Sequence, residues 1–448
     1  MYSKQVPIVL TILLLIISTI TYYSEYKYGL MASLAAVWVI GLSYSIKRLE
    51  KRIVLLAFYV TIFSFLMARL FIDDFVSGYK SDYSEEARSV VHYSYSAGLF
   101  IYYAITLSLS FVFLGYIAYD KSEIIGIRNS MANSAYVEKV KAISKRLSYA
   151  FYIFTVLTAL EMVFYIWQNS YIAFYLTFEP SLPHVVYTLD AAFGFAFFLF
   201  LACMPNKKEA KPLIYLYLLR ACIALLTGQR NSFVLPVLFI IIYFFIRNTL
   251  SPNDLWIEKR GKLLLVIFFP LFCVSMFVIM LIRGGNSSEN ESLIIYFVDF
   301  FYQLGTSVKV LGYSYDLQAI IPDGQNYTFG PLIRWFDGNV IAQLLGFGHH
   351  YENASVDMAL HGHSLGSFLT YNVDKYRYLH GGNLASSYIA ELWLDYGFIG
   401  VAVGSFIYGR IMARVMSFSK KNVWKTTVTF IMIYNIIYAP RASYMYFI

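Results

Sequence analysis

The sequence predicts an all-α polytopic membrane protein with about 11–12 transmembrane helices and one long, mostly helical extracytoplasmic loop. Three observations carry this: the composition, the length of the apolar runs, and the alternation of charge between them. Of 448 residues, 59% are hydrophobic and only 14% charged, whereas soluble domains hold roughly 45–50% and 25%. The apolar residues fall in separate runs, many of about 18–22 residues, the length that crosses the hydrocarbon core of a bilayer. Backbone inside hydrocarbon must satisfy its own hydrogen bonds, so each run is expected to be a helix.

Spans are expected at about 6–24, 28–46, 53–72, 97–119, 147–167, 184–204, 212–229, 231–248, 263–282, 389–409 and 426–440. The first run, Val6 to Tyr22, has no small-residue cleavage site behind it and reads as a retained helix. Cys203, Cys222 and Cys273 all sit in apolar runs, which points to neither a disulfide framework nor a zinc site.

Positive charge fills every second connection. Lys47, Arg48, Lys51 and Arg52 make one group, and Lys121, Arg128, Lys139, Lys141, Lys145 and Arg146 the next. Lys207, Lys208 and Lys211 follow, then Arg247, Lys259, Arg260 and Lys262, and finally Arg410, Arg414, Lys420, Lys421 and Lys425. The intervening connections are acidic or nearly uncharged. By the positive-inside rule the basic set is cytoplasmic, together with the N-terminus. The formal charge of +8 therefore marks orientation and not a nucleic-acid partner. Eleven spans place the C-terminus outside, and Tyr444 to Ile448 are where a twelfth would open. One membrane domain, 1–448, with an inserted outer subdomain, 283–388, is the expected organisation.

About a hundred residues between two membrane helices is far beyond ordinary connection length, and such loops are functional or disordered. This one carries an amphipathic run from Ile294 to Tyr302, Trp335, Phe336 and many Tyr and Leu, so it is expected to fold over the outer mouth of the helices. Arginine is unexpected on that side, yet Arg283, Arg334 and Arg377 lie in the loop, Arg230 in the short outer turn and Arg441 near the end. Each can pair with Asp299, Asp337 or Glu391; as a set they fit an anionic ligand, because the guanidinium fork holds phosphate oxygens two at a time. Five of the seven histidines, His349, His350, His361, His363 and His380, share the loop. No H-E-x-x-H spacing supports a metal site, and proton transfer or hydrogen bonding to a sugar suits one or two of them better. Gly362-His-Ser-Leu-Gly366 matches a serine-hydrolase elbow, but a loop of this size cannot supply the α/β sheet that elbow needs, so Ser364 is not read as a nucleophile. Glu391 and Asp395, four apart, share one helix face; Glu391 is expected in the wall of the site, and Gly397 and Gly400 are expected to allow close helix approach. Inside the membrane Arg69, Glu161, Asp190 and Arg220 are costly residues, and Asp190 is expected to pair with Arg220.

Four features together resemble bacterial Wzy-type oligosaccharide repeat-unit polymerases. They are the turn Gly228-Gln-Arg-Asn-Ser, the outer loop rich in Arg and His, the helix start Glu391-Leu-Trp-Leu-Asp-Tyr-Gly-Phe-Ile-Gly and the late Pro440-Arg-Ala-Ser. The resemblance implies a GT-C-like fold and a cofactor-free, metal-independent glycosyltransferase in the bacterial inner membrane. Such an enzyme joins undecaprenyl-diphosphate-linked repeat units, donor and acceptor, into an O-antigen or capsule. It also implies a chain-length regulator and a flippase as candidate partners. On this reading Arg230, Arg283, Arg334, Arg377 and Arg441 hold the diphosphate, and His361, His363, His380 or Glu391 serves as the base. Trp335 and Tyr388 contact sugar. The alternatives are an O-antigen ligase, which shares the donor chemistry, and a transporter, against which stands the lack of evident inverted repeats.

Overall fold

The computed structural model describes residues 4–76, 83–84, 92–120, 135–169, 174, 178–226, 230–251, 254–265, 267, 269, 274, 293–338, 346, 349, 351–415 and 423–446. Helix dominates, and the one strand pairing among the described residues is a two-residue parallel contact of Tyr83–Ser84 with Tyr93–Ser94. Nine helices among the described residues are long and apolar enough to cross a membrane. Eight coincide with expected spans. The expected span at 212–229 overlaps the helix Lys207–Leu226, and 227–229 lie outside the described residues. The last expected span is a helix of 16 residues, Val423–Tyr438, and most of 263–282 lies outside the described residues. The ninth, Ile294–Asp316, begins where the sequence suggested a surface-lying run. Its second half, Val308–Asp316, is instead largely buried, and Asp316 accepts the Ser94 backbone N–H at 2.7 Å.

The chain forms two compact units: residues 1–120, 298–414 and 435–448 in the first, and 121–297 and 415–434 in the second. In the first unit the helix Tyr95–Tyr119 is apolar all round and almost wholly buried. Ser94 caps its start by accepting the Ala97 N–H at 3.1 Å, a standard way to satisfy a free helix donor. Against it lies Tyr388–Val415, and small residues set the spacing. A Cβ on Gly115 would stand 2.2 Å from the Phe406 carbonyl oxygen, and one on Gly409 would stand 2.0 Å from that of Val112. Ser108 and Ser405 hydrogen-bond across the same seam at 2.9 Å. Close backbone approach of this kind is how membrane helices gain packing without a hydrophobic drive.

Two helices depart from regular geometry where they meet the short-helix segment. Leu49–Phe75 contains a π-helical stretch, Phe63–Met67, just before Arg69. The guanidinium of Arg69 donates to the Tyr302 carbonyl at 3.1 Å and the Thr306 hydroxyl at 3.3 Å. A buried arginine thus fastens the chain at Tyr302 and Thr306. Tyr388–Val415 is broken at Gly397, where φ is +63° and ψ −158°. Glycine is needed there for backbone freedom rather than helix contact, because that region of φ/ψ space is essentially closed to side chains. Gly397→Ala is expected to cost about 1–3 kcal/mol of strain, visible as a lower unfolding midpoint in detergent; an unchanged midpoint would show the break to be dispensable.

In the second unit Ala135–Asn169, His184–Ala202, Lys207–Leu226, Arg230–Leu250 and the start of Val423–Tyr438 pack around aromatic rings. Phe197 stacks on Tyr217 at 4.2 Å, and Phe239 meets Phe430 edge-on at 5.9 Å. The expected pair forms, with Arg220 3.0 Å from Asp190. Glu161 caps the connection to the next helix by accepting the Ser181 N–H at 2.6 Å and the Leu182 N–H at 3.2 Å.

Candidate functional site

The segment of the first unit before Tyr388 is built of short helices separated by tight turns. Gly330–Asp337 carries Arg334 and Trp335, Val356–His361 ends on His361, and Leu365–Val373 follows the turn at Gly362–Ser364. Ser364, the residue of the hydrolase-like pattern, accepts the Ser367 N–H as a helix cap. His363 sits in that turn with φ +48°, a left-handed conformation that costs a non-glycine residue energy and needs support.

Arg334 supplies part of that support. It donates to the carbonyls of Gly362 at 3.2 Å and His363 at 2.6 Å. From the other side Gln325 accepts the His363 N–H at 3.0 Å, and the Asn326 N–H donates to His363 Nδ1 at 3.1 Å. A backbone N–H only donates, so Nδ1 is unprotonated and the neutral ring carries its proton on Nε2. Burial first, with Arg334 adding to it, holds the His363 imidazole below its usual 6.5. Burial also lowers Arg334, which nonetheless stays cationic at any physiological pH. Gly330 lets this helix start touch the turn: a Cβ there would stand 2.0 Å from the His363 carbonyl oxygen. Gly330→Ala is expected to force the turn away at a cost of about 1–3 kcal/mol, read as a lower melting point and reduced activity; wild-type values for both would show the contact to be slack.

Two carboxylates lock the surroundings. Asp395 accepts the N–H groups of Tyr327 at 3.2 Å and Thr328 at 2.6 Å, which fixes the strand of chain bearing Gln325 and Asn326. Glu391 is 1% exposed; its oxygens take the Ser386 hydroxyl at 2.6 Å and the Tyr444 N–H at 2.7 Å. Buried with both oxygens occupied, Glu391 has the geometry of a holding group rather than of a base. It ties down the turn that follows Arg441, and its charge reaches Arg334. The Arg441 Nε is buried with no hydrogen-bond partner among the described residues, and a buried donor left without an acceptor costs about 1–3 kcal/mol.

The histidines divide by tautomer. His361 Nδ1 lies 2.8 Å from Asp357, whose other oxygen is 2.9 Å from His349 Nε2. His380 Nδ1 donates to the Tyr376 carbonyl at 2.7 Å. In both His361 and His380 the proton therefore belongs on Nδ1, leaving Nε2 a bare acceptor, the reverse of His363. Asp357 draws its carboxyl below the usual range through these two histidine contacts. Trp335 and Phe336 expose about three-fifths of their surfaces (62% and 60%), with rings edge-on at 4.9 Å, a platform next to Arg334 in the chain.

The remaining expected residues are placed as follows. Arg377 is exposed on the short helix Lys375–Leu379. Tyr388 is 0% exposed, its ring tilted against that of Tyr408 with centroids 5.1 Å apart; it is part of the helix packing and presents no face to a sugar, because its hydroxyl meets Ser108 in the seam with Tyr95–Tyr119. Arg283 and the side chain of Arg230 lie outside the described residues, as does His350. The site residues that sequence reasoning passed over are Asp357, Asp395, Asn326 and Gln325. Asp357 four before His361 and Asp395 four after Glu391 were visible spacings; the backbone-directed bonds of Asn326 and Gln325 had no signal. Among the described residues no three His, Cys, Asp or Glu side chains converge as metal ligands.

Helices of this length and apolarity, with a folded segment built onto one unit, define a multi-pass all-α membrane protein. Residues 5–448 match the family described as O-antigen polysaccharide polymerase Wzy, and the chain belongs to that family. Its class of activity is polymerisation of O-antigen repeat units in the membrane. No curated protein and no solved structure matches the chain.

Proposed function

We propose that the chain joins undecaprenyl-diphosphate-linked repeat units by metal-independent glycosyl transfer at the outer face of the bacterial cytoplasmic membrane, with its N-terminus inside. The observation that carries this reading is the turn at His363, held in a left-handed conformation by Arg334, with its tautomer set by Asn326. In the transfer, the acceptor sugar oxygen bonds to the anomeric carbon of the donor as the bond from that carbon to the diphosphate breaks. Negative charge grows on the departing diphosphate. Arg334, Arg441 and the His363 Nε2–H supply fixed positive charge and a donor for it, which is where preorganised electrostatics contributes most. Arg377 is a further candidate for the lipid diphosphate, and the expectation that Arg230 and Arg283 bind it rests on the sequence alone, because Arg283 and the Arg230 side chain lie outside the described residues. The acceptor hydroxyl proton passes to a bare imidazole Nε2. His361 suits this best because Asp357 orients it in the manner of a base and its orienting carboxylate; His380 is the alternative base. Trp335 offers an aromatic face to a sugar ring. A chain-length regulator and a flippase are the proposed partners.

Purified protein given only a lipid-linked repeat unit is expected to produce a ladder of longer lipid-linked chains. Absence of the ladder, with transfer to added lipid A instead, would make the chain a ligase and overturn the reading.

A further inference from the structure

The second unit contains a cavity of about 280 Å³ lined by Asp190, Arg220, Tyr217, Tyr434, Thr155 and Ser232 among others, with Thr158 and apolar side chains from alanine to methionine completing the wall. It lies within two turns of the start of His184–Ala202 and of the end of Lys207–Leu226, away from the Lys207, Lys208 and Lys211 turn. By the topology proposed above, that is the outer end of these helices. A polar cavity among membrane helices costs stability, and ionisable residues there mark sites by default.

The cavity's unused hydrogen-bonding groups define what it takes. Asp190 Oδ1 accepts the Thr155 hydroxyl at 2.6 Å and lies 3.0 Å from the Arg220 guanidinium. Its Oδ2 has no donor among the described residues, and the remaining N–H groups of Arg220 have no acceptor there. Tyr217 is 95% buried (5% exposed) and fixed by stacking on Phe197. Its hydroxyl has no hydrogen-bond partner among the described residues. The Thr158 hydroxyl donates to the Thr155 carbonyl at 3.1 Å, which leaves its lone pairs as acceptors. Donors and acceptors therefore stand side by side around a closed ion pair of no net charge.

That balance separates ligand classes. An anion set beside the pair is repelled by the carboxylate about as strongly as it is attracted by the guanidinium, and breaking the pair in a low dielectric adds a further cost. An uncharged ligand with neighbouring hydroxyls meets both partners without disturbing them: one hydroxyl donates to Asp190 Oδ2 while another accepts from Arg220 or Tyr217. The volume is just below the roughly 300–1,000 Å³ of ordinary small-molecule sites, which suits one ring and not a chain. We propose that this cavity is a saccharide subsite for a single uncharged pyranose ring, separate from the Arg334–His363 cluster. It rests on the polymerase reading only for the source of that sugar.

The test uses the full-length protein in lipid nanodiscs, free of sugar-based detergent. Saturation-transfer NMR is recorded with a panel of neutral methyl hexopyranosides and methyl 2-acetamidohexopyranosides, and binding of inorganic diphosphate is measured in parallel. At least one glycoside is expected to bind. Tyr217→Phe, which keeps the ring stack and removes only the hydroxyl, is expected to weaken that binding roughly three- to tenfold. Ala159→Phe, which fills the cavity, is expected to abolish it. Glycoside binding insensitive to both variants would overturn the subsite, as would a protein that binds no glycoside. Diphosphate binding that Arg220→Gln removes would overturn it in favour of an anion site. The outcomes also separate from those of the polymerase reading: a ladder with no effect of Tyr217→Phe on glycoside binding removes the subsite alone, whereas cavity-dependent binding without a ladder removes the polymerase reading alone.

Discussion

Replacing Arg334 with alanine is expected to leave the protein inserted in the membrane and to remove the polymer ladder. Two effects act together. The carbonyls of Gly362 and His363 lose their donors, and each partly buried acceptor left unpaired costs about 1–3 kcal/mol. The left-handed His363 then has less to hold it and is expected to relax. The second effect is the loss of fixed positive charge from the leaving-group side of the site. Removing one preorganised group of this kind slows turnover by about 100- to 1,000-fold in well-studied hydrolases. Arg334→Lys keeps the charge but cannot span two carbonyls with a rigid fork, so it is expected to recover only part of the rate. Chain length on gels and initial rate with purified lipid-linked substrate measure both. Wild-type ladders from the alanine variant would remove Arg334 from the site.

His363 gives the second large effect, and the choice of substitution matters. Asparagine tolerates a positive φ better than most residues, and its side-chain oxygen can accept the Asn326 N–H in place of Nδ1. His363→Asn is therefore expected to keep the melting temperature within a few degrees while lowering the rate by about 100- to 10,000-fold, the usual worth of a positioned acid–base group. A variant of wild-type rate would reduce His363 to a turn residue. The pH dependence follows from the same bond. His363 is held below its usual 6.5 by burial, so the unfolded chain takes up the proton first as pH falls. The stability it contributes is complete above about pH 6.5 and is lost as pH drops toward the lowered folded value. Protonation at Nδ1 also breaks the Asn326 bond. The wild-type rate is therefore expected to have an acidic limb below pH 6.5, and a limb centred above that value would contradict the assigned tautomer.

Much of this architecture is legible in the sequence because the bilayer is a simple solvent. Apolar length sets most of the spans; close helix approach was expected at Gly397 and Gly400, whereas the seam with Tyr95–Tyr119 runs through Ser108, Gly115, Ser405 and Gly409. The cluster of arginines and histidines between residues 283 and 388 is legible as well, because charged residues gathered in one long connection stand out in so apolar a chain. What escapes such reasoning is direction. Nothing in the spacing shows that Arg334 turns to carbonyls instead of carboxylates, or that His363 and His361, two residues apart, carry their protons on opposite nitrogens. Tyr388 was misjudged for the same reason, since the chain is already buried from Ser386 onward and Tyr388 enters the helix seam with no exposed face. Helix period alone sets the pairing of Asp357 with His361; that His349 arrives on the other oxygen depends on a fold of the loop that no short-range pattern encodes.

The break at Gly397 has a mechanical consequence. Glu391 and Asp395 ride together on the short piece of helix before it, one gripping the turn behind Arg441 and the other the chain that orients His363. A rigid rod through this point would tie both grips to the long helix beyond. With a glycine at the joint, the short piece takes its own direction, and one helical segment anchors both the turn behind Arg441 and the chain behind His363.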